Sequence, residues 1–327
     1  MTIWNHKREP MPRVAVIGTG TMGTAMARRL LASGMEINAW SRHAASTMPL
    51  VELGATSYEK APDAVGDADV VITMLATAEA TTDVMFDEET LRAMAPKSVW
   101  AQMATIGVQA TERLVTETRR RRPDVSFVDA PVSGSRDPAQ KGQLLILASG
   151  PQSVAPSLEP VFSVLGRATL WLGSAGAGSA MKLVLNTWLA FQTEGAAEAA
   201  ALAEQLGVSD NALVEALRDN PLASPYALAK LSRMIEGDYH PDFALDWALK
   251  DLDLVGTEAG EGSAPIAAAI AGRWRTLVAD GSSGLDVSAA RQGLGQAAPA
   301  GLDRRSSALG IGDRLRSDDF ESAQMTS

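Results

Sequence analysis

Lys182 and Asn186 stand four residues apart in a stretch that opens Gly176-Ala-Gly178 and continues without proline to Leu206. At that spacing on a helix the two side chains share one face. An ammonium beside an amide suits proton transfer to or from a small oxygen-bearing substrate, provided burial or a neighbouring charge brings the lysine toward neutrality. Taken alone, the pair is equally a solvated lysine beside an ordinary asparagine. A second group, Asp129-Ala-Pro131-Val-Ser133-Gly134-Ser135, offers a hydroxyl donor and consecutive backbone N–H groups, a concavity that suits a carboxylate and equally an ordinary turn. A third, Gly18-Thr19-Gly20-Thr21-Met22-Gly23, has the spacing that cradles a dinucleotide pyrophosphate.

The glycines carry weight because of what surrounds them. Arg13–Gly18 is a nearly continuous apolar run, as in a strand buried on both faces of a parallel sheet. Thr24–Ser33 reads as a helix closed by Gly34, and Met35–Trp40 as the next strand. In this setting Gly18 makes the tight turn, Gly20 lets phosphate approach the backbone, and Gly23 lets helix and strand pack closely. The second strand ends in Ser41 and Arg42 with no nearby acid. An acid there would accept from the ribose 2′-OH of NAD, whereas a planar cation can pair with a 2′-phosphate. NADP(H) is therefore expected over NAD(H).

The alternation continues. Glu59–Val65, Glu88–Met94 and Val108–Arg122 read as helices; Asp69–Leu75, Ser98–Met103 and Val125–Asp129 read as strands. The expected fold class is α/β, an N-terminal Rossmann doubly wound sheet followed by an all-α C-terminal domain, the two joined by a long interdomain helix. Ligands bind at the carboxyl edge of such a sheet, which makes Leu75, Ala76 and Thr105 candidates to touch cofactor or substrate. Arg119–Arg122 reads as a solvated helix end with cations favourably placed against the dipole. The interdomain helix, about 28 residues ending at Gly207, would be a rod of about 40 Å. Beyond it, Ser209–Arg218, Pro225–Ile235, Asp246–Gly260, Pro265–Asp280 and Asp286–Leu294 read as helices, with Ser209 and Asp286 among the capping residues. The expected divisions are a flexible N-terminus at 1–12, the cofactor domain at 13–173, the helical substrate and dimerisation domain at 174–295, and a flexible tail at 296–327.

Composition narrows the function. A chain of 327 residues with net charge −10 lacks the basic footprint of a nucleic-acid binder. With no cysteine there is no disulfide, thiol nucleophile or cysteine-ligated metal, and three scattered histidines carry no metal-site spacing, so no metal is expected. No apolar run is long enough to cross a bilayer, and the expected location is the cytoplasm. The alanine-rich second half, with helices apolar beyond what one core needs, suggests a homodimer.

Taken together, Gly18–Gly23, Asp129–Gly142, Gly176–Asn186, Phe243 and Lys250-Asp251-Leu252 resemble the β-hydroxyacid dehydrogenase family, over roughly residues 13–292. The run Pro131-Val-Ser-Gly-Ser-x-x-Pro138-Ala139, followed by Gly142-Gln-Leu-x-Ile-Leu-Ala148, is most similar to its glyoxylate/succinic semialdehyde reductase branch, which typically uses NADPH. The resemblance implies that Ser133, Gly134 and Ser135 hold a substrate carboxylate. It implies further that Lys182 is the general acid and base, that Asn186 binds substrate or orients Lys182, and that Thr105 lies near the nicotinamide. Phe243 would line the pocket, Lys250 would reach substrate or cofactor, and Asp251 would orient the lysines. The chain departs from the family at Ala104, where Ser is common, and at Trp100 and Gln102, where Val and Asp are more usual. The expected activity is NADPH-dependent reduction of a small carboxylate-bearing aldehyde or keto acid. An imine reductase or an idle NADPH-binding scaffold shares the fold, and Lys182 argues against both.

Overall fold

The computed structural model describes residues 11–260 and 262–295; most of the expected N-terminal segment and the whole of the expected tail fall outside them. The chain begins as an alternation of strands and helices, doubled only at α4 and α5: β1 (Val14–Ile17), α1 (Thr21–Ala32), β2 (Ile37–Trp40), α2 (Met48–Val51), β3 (Thr56–Ser57), α3 (Ala61–Val65), β4 (Val70–Thr73), α4 (Ala78–Thr82), α5 (Thr90–Ala93), β5 (Val99–Gln102), α6 (Val108–Arg121) and β6 (Ser126–Asp129). The six strands form one parallel sheet in the order β3-β2-β1-β4-β5-β6. Successive side chains of a strand alternate between the two faces. Val14 and Val16 enter one core with Met26 and Leu30 of α1, while Ala15 and Ile17 enter the other with Trp100 and Leu114. The order reverses between β1 and β4, so the ligand crevice of such a sheet lies at their carboxyl ends.

Several local features differ from the sequence reading. The segment read as a helix over Glu88–Met94 is helical only at Thr90–Ala93, and a wide π-type turn at Asp83–Asp87 precedes it. Arg122 is turned inward, its guanidinium donating to the carbonyls of Leu91, Arg92 and Met94 at 2.9–3.1 Å. It serves as the cap for the end of α5, whereas Arg120 and Arg121 pair with Glu117 at the surface. Asp286–Leu294 forms only a short 3-10 turn at Val287–Arg291, with the Asp286 carboxylate accepting from the Ser288 N–H.

A second, three-stranded sheet follows, made by β7 (Val132–Ser133), β8 (Leu144–Ala148) and β9 (Gly166–Trp171), with α7 (Arg136–Gln140) and α8 (Ala155–Leu165) in its connections. β7 is antiparallel to β8, and β9 is parallel to it. This sheet leads directly into α9 (Ala177–Leu206), 30 residues and about 45 Å long. Gly207 closes it in the left-handed conformation (φ +75°), with the Val208 N–H donating to the Ala203 carbonyl. The first turns of α9 lie on β6, β7 and β8; the rest is the axis of the helical half, wrapped by α10 (Asp210–Leu217), α11 (Pro225–Glu236), α12 (Leu245–Ala259) and α13 (Pro265–Leu277). Ala190, Ala197 and Ala200 let these helices approach closely around the fully buried Trp274. Among the described residues no helix is long and apolar enough to cross a membrane.

Candidate active site

The turn between β1 and α1 separates two reasons for a glycine. At Gly18 (φ +103°) a Cβ would lie 2.5 Å from the Met74 carbonyl oxygen, and at Gly23 it would lie 1.9 Å from that of Gly18. Internal packing forces both. At Gly20 a Cβ would meet nothing within 4 Å, so the missing side chain leaves open space above the turn. The backbone N–H groups of Thr21, Met22 and Gly23 find no backbone acceptor among the described residues, and the buried Thr19 hydroxyl has no partner. Free donors, the positive end of a 12-residue helix with no acid in its first turn, and an unfilled cradle fit the pyrophosphate of a dinucleotide. Ser41 and the exposed Arg42 follow β2, Leu75 and Ala76 follow β4, and Thr105 follows β5, all at the same edge of the sheet.

The N-terminal part of α9 is brought against β8 by Gly178, where a Cβ would come within 2.2 Å of the Leu147 carbonyl oxygen. One turn later Lys182 and Asn186 face α12. The Asn186 amide donates to Oδ2 of Asp251, and both residues are buried. The other carboxylate oxygen of Asp251 lies 3.0 Å from Lys250 Nζ, whose hydrogen bond is directed instead to the Thr105 carbonyl at 2.5 Å. Asn186 and Lys250 thus share one buried carboxylate, and Lys182 feels its charge. Burial pushes the half-buried Lys182 ammonium below the ordinary lysine range; Asp251 pulls it back up, and Lys250 pushes it further down. On balance the surroundings make the Lys182 proton easier to release than that of a free lysine.

Asn186, Asp251, Lys250 and Thr105 are therefore joined by direct contacts, with Lys182 in their field. The Ser133 loop is placed beside them less directly, through the packing of β7 on α9. Gly134 (φ +129°) has Pro138 folded over it, a Cβ there meeting the proline ring at 3.1 Å. The side chains of Ser133 and Ser135 are only partly buried. Phe243 packs on the helical core, its backbone N–H held by Asp286 at 3.1 Å, and makes no hydrogen bond with the lysine cluster. The sequence reading missed Glu258, which accepts the Gln109 N–H at 3.1 Å and so ties α12 to the start of α6. Its spacing of eight from Lys250 puts the two on one helix face, a signal available beforehand. A cavity of about 500 Å³, lined mainly by apolar residues including Leu183, Val184, Trp188, Phe191 and Val255, lies on the side of α9 away from Lys182.

A doubly wound parallel sheet, a dinucleotide cradle at its switch point and a lysine cluster at the same edge define a nicotinamide-dependent dehydrogenase. Comparison with known proteins agrees. The model of the NAD binding domain of 6-phosphogluconate dehydrogenase matches residues 13–173, and that of the NAD-binding of NADP-dependent 3-hydroxyisobutyrate dehydrogenase matches residues 176–294. The chain is 31% identical to glyoxylate/succinic semialdehyde reductase 1 of Arabidopsis thaliana, over 84% of this chain and 96% of that one. It is 30% identical to the chloroplastic reductase 2 of the same plant, over 86% and 79%. The solved 3-hydroxyisobutyrate dehydrogenase of Mycobacterium tuberculosis with L-serine superposes with a TM-score of 0.78 at 27% identity, over 86% of this chain and 98% of that one. The chain belongs to the β-hydroxyacid dehydrogenase family. It is an NAD(P)-dependent oxidoreductase acting on the CH–OH or C=O group of small molecules.

Proposed function

We propose that the protein reduces a small carboxylate-bearing aldehyde or keto acid with NADPH, and runs in reverse as a 3-hydroxyacid dehydrogenase. The observation that carries this reading is the buried Asp251 carboxylate shared between Asn186 and Lys250, with Lys182 depressed beside it. When bound, the nicotinamide supplies the hydride that goes to the carbonyl carbon. Lys182 gives its proton to the carbonyl oxygen, and takes it back from the alcohol in the other direction. Ser133 and the backbone N–H groups of Gly134 and Ser135 hold the substrate carboxylate. Asn186, itself held by Asp251, orients the substrate oxygen or the Lys182 side chain. Lys250 steadies the Thr105 loop at the cofactor edge, and Phe243 closes one side of the pocket. Arg42, exposed with no acid beside it, supports NADP(H) over NAD(H) by pairing with the 2′-phosphate.

The same reading includes a homodimer. Val184 and Trp188, 63% and 60% exposed on the apolar side of α9, form a face that a second copy would cover. A monomeric mass at micromolar concentration would remove that part.

The decisive assay follows NADPH consumption with glyoxylate, with succinic, methylmalonate and tartronate semialdehydes, and with a cyclic imine, for the wild type and Lys182→Ala. Turnover of a carboxylate-bearing aldehyde that is lost in Lys182→Ala is expected. Unchanged turnover in the variant would overturn the role of Lys182, and turnover of the imine alone would make the protein an imine reductase.

A further inference from the structure

Three polar residues end the neighbouring strands β4, β5 and β6: Thr73, Gln102 and Asp129. They are in register, Thr73 opposite Gln102 and Gln102 opposite Asp129, so their side chains share one face of the sheet. All three are 0% exposed. Two residues earlier on the same strands and face stand Val71, Trp100 and Phe127, deep in the apolar core. A polar row above such a core is costly unless each group is bonded. Here they are.

The Trp100 indole N–H donates to the Thr73 hydroxyl at 2.9 Å, and that hydroxyl donates to Gln102 Oε1 at 3.2 Å. Gln102 Oε1 also accepts the Ala104 N–H at 3.0 Å, while its Nε2 donates to the Ala104 carbonyl at 2.7 Å. One amide thus clamps both backbone groups of the residue before Thr105. A carboxylate at this position could accept the N–H but has no donor for the carbonyl. Trp100 and Gln102, two of the three departures from the family pattern, therefore belong to a single network, which holds the backbone of the third, Ala104.

On the neighbouring strand, Asp129 holds the start of α9. Its Oδ2 accepts the N–H groups of Gly176 and Ser179 at 3.1 and 2.8 Å, and its Oδ1 accepts the Ser179 hydroxyl at 2.8 Å. Ser149 donates to it from β8's end at 3.0 Å. The helix has no cap of its own, since Gly176 lacks a side chain, so a carboxylate from a distant strand supplies one. Ser179 is three residues before Lys182.

We propose that Gln102 and Asp129 are positioning residues for hydride and proton transfer. Gln102 fixes the Thr105 loop, Asp129 fixes the turn that carries Lys182, and their register on adjacent strands sets one against the other. Neither reaches the cleft. This inference rests on the reading of Lys182 as the acid, and its test keeps the two apart.

The test compares wild type, Gln102→Met, Asp129→Asn, Trp100→Phe and Lys182→Ala by the single-turnover rate of NADPH oxidation with succinic semialdehyde, the KM for each substrate, and Tm. Gln102→Met and Asp129→Asn should each lower the rate about ten- to a hundredfold, the size of effect a misplacement of about 1 Å produces, while both KM values stay within about twofold. The double variant should lose less than the product of the single losses, since both act on one geometry. Trp100→Phe keeps the ring and removes only the N–H; its smaller loss, about threefold, decides the Gln102 branch should Gln102→Met not fold. A fall in Tm with the rate within twofold of wild type, while Lys182→Ala is inactive, would overturn this inference alone. An active Lys182→Ala would overturn the reading beneath it.

Discussion

Two of the ionic clusters in the helical half are balanced in opposite ways. Around α11, Asp286 accepts Lys230 Nζ at 2.7 Å together with the backbone N–H groups of Asp242, Phe243 and Ser288, and Arg233 stands 3.4 Å away. Burial pushes the Asp286 carboxyl up, but Lys230 and the backbone donors more than offset this and hold it below its ordinary value. Between α9 and α12, Asp251 faces Asn186 and Lys250 with Lys182 in its field, and Asp251 Oδ1 is buried without a properly aligned hydrogen bond. Charge is satisfied where it only has to hold a loop in place. It is left unsatisfied at the cluster where the proposed mechanism moves a proton.

Replacing Lys182 sharpens the contrast most. Lys182→Met should lower the rate of reduction about 10²- to 10⁴-fold, the range for one positioned acid. Its effect on stability has the opposite sign. A lysine whose ammonium is disfavoured by burial in the folded state opposes folding at neutral pH; the penalty starts to fall as pH rises through the folded value and is gone only above the unfolded value of 10.5. Thermal unfolding of Lys182→Met should therefore occur at or above the wild-type temperature; a clear fall would mean that the lysine is structural.

Lys230→Met provides the reverse case. It strands the fully buried Asp286, and denaturant unfolding should show a loss of about 3–5 kcal/mol. Unchanged stability would dissolve the distinction between the clusters. Arg42→Ala should raise the KM for NADPH about tenfold, roughly 1.4 kcal/mol, and leave that for NADH as it was. An equal effect on both would show that Arg42 does not read the 2′-phosphate. The smallest effect is on pH dependence. Lys250→Ala removes a like charge and frees Asp251 for Lys182, so the inflection in the rate of reduction should move to higher pH. A shift to lower pH would mean that Lys250 does not depress Lys182.

The two halves of the site differ also in how readily their sequence discloses them. Gly18–Gly23 and the buried strands around it were readable because apolar runs and glycine spacing are local. Lys182 and Asn186 were readable as a pair because helical periodicity places them together. β7, β8 and β9 were not: β7 has two residues, β9 is an edge strand with a mostly half-buried pattern, and the parallel pairing of β8 with β9 spans a helix. β3, also two residues long, was invisible for the same reason. The contact of Lys250 with the Thr105 carbonyl depends on how two distant elements meet. The row Thr73, Gln102 and Asp129 depends on strand register, which no spacing in the chain encodes. Trp100 and Gln102 stood out as departures, but their partnership appears only once β4 and β5 lie side by side.

The central claim is that Lys182 exchanges the reaction proton from a depressed pKa. Single-turnover rates measured in both directions across pH test it most directly. Reduction needs the ammonium and should slow as pH rises; oxidation needs the neutral amine and should quicken through the same inflection, lying below the ordinary lysine value of 10.5. Both limbs should vanish in Lys182→Met. Flat profiles below that pH, or limbs that survive the substitution, would contradict the account.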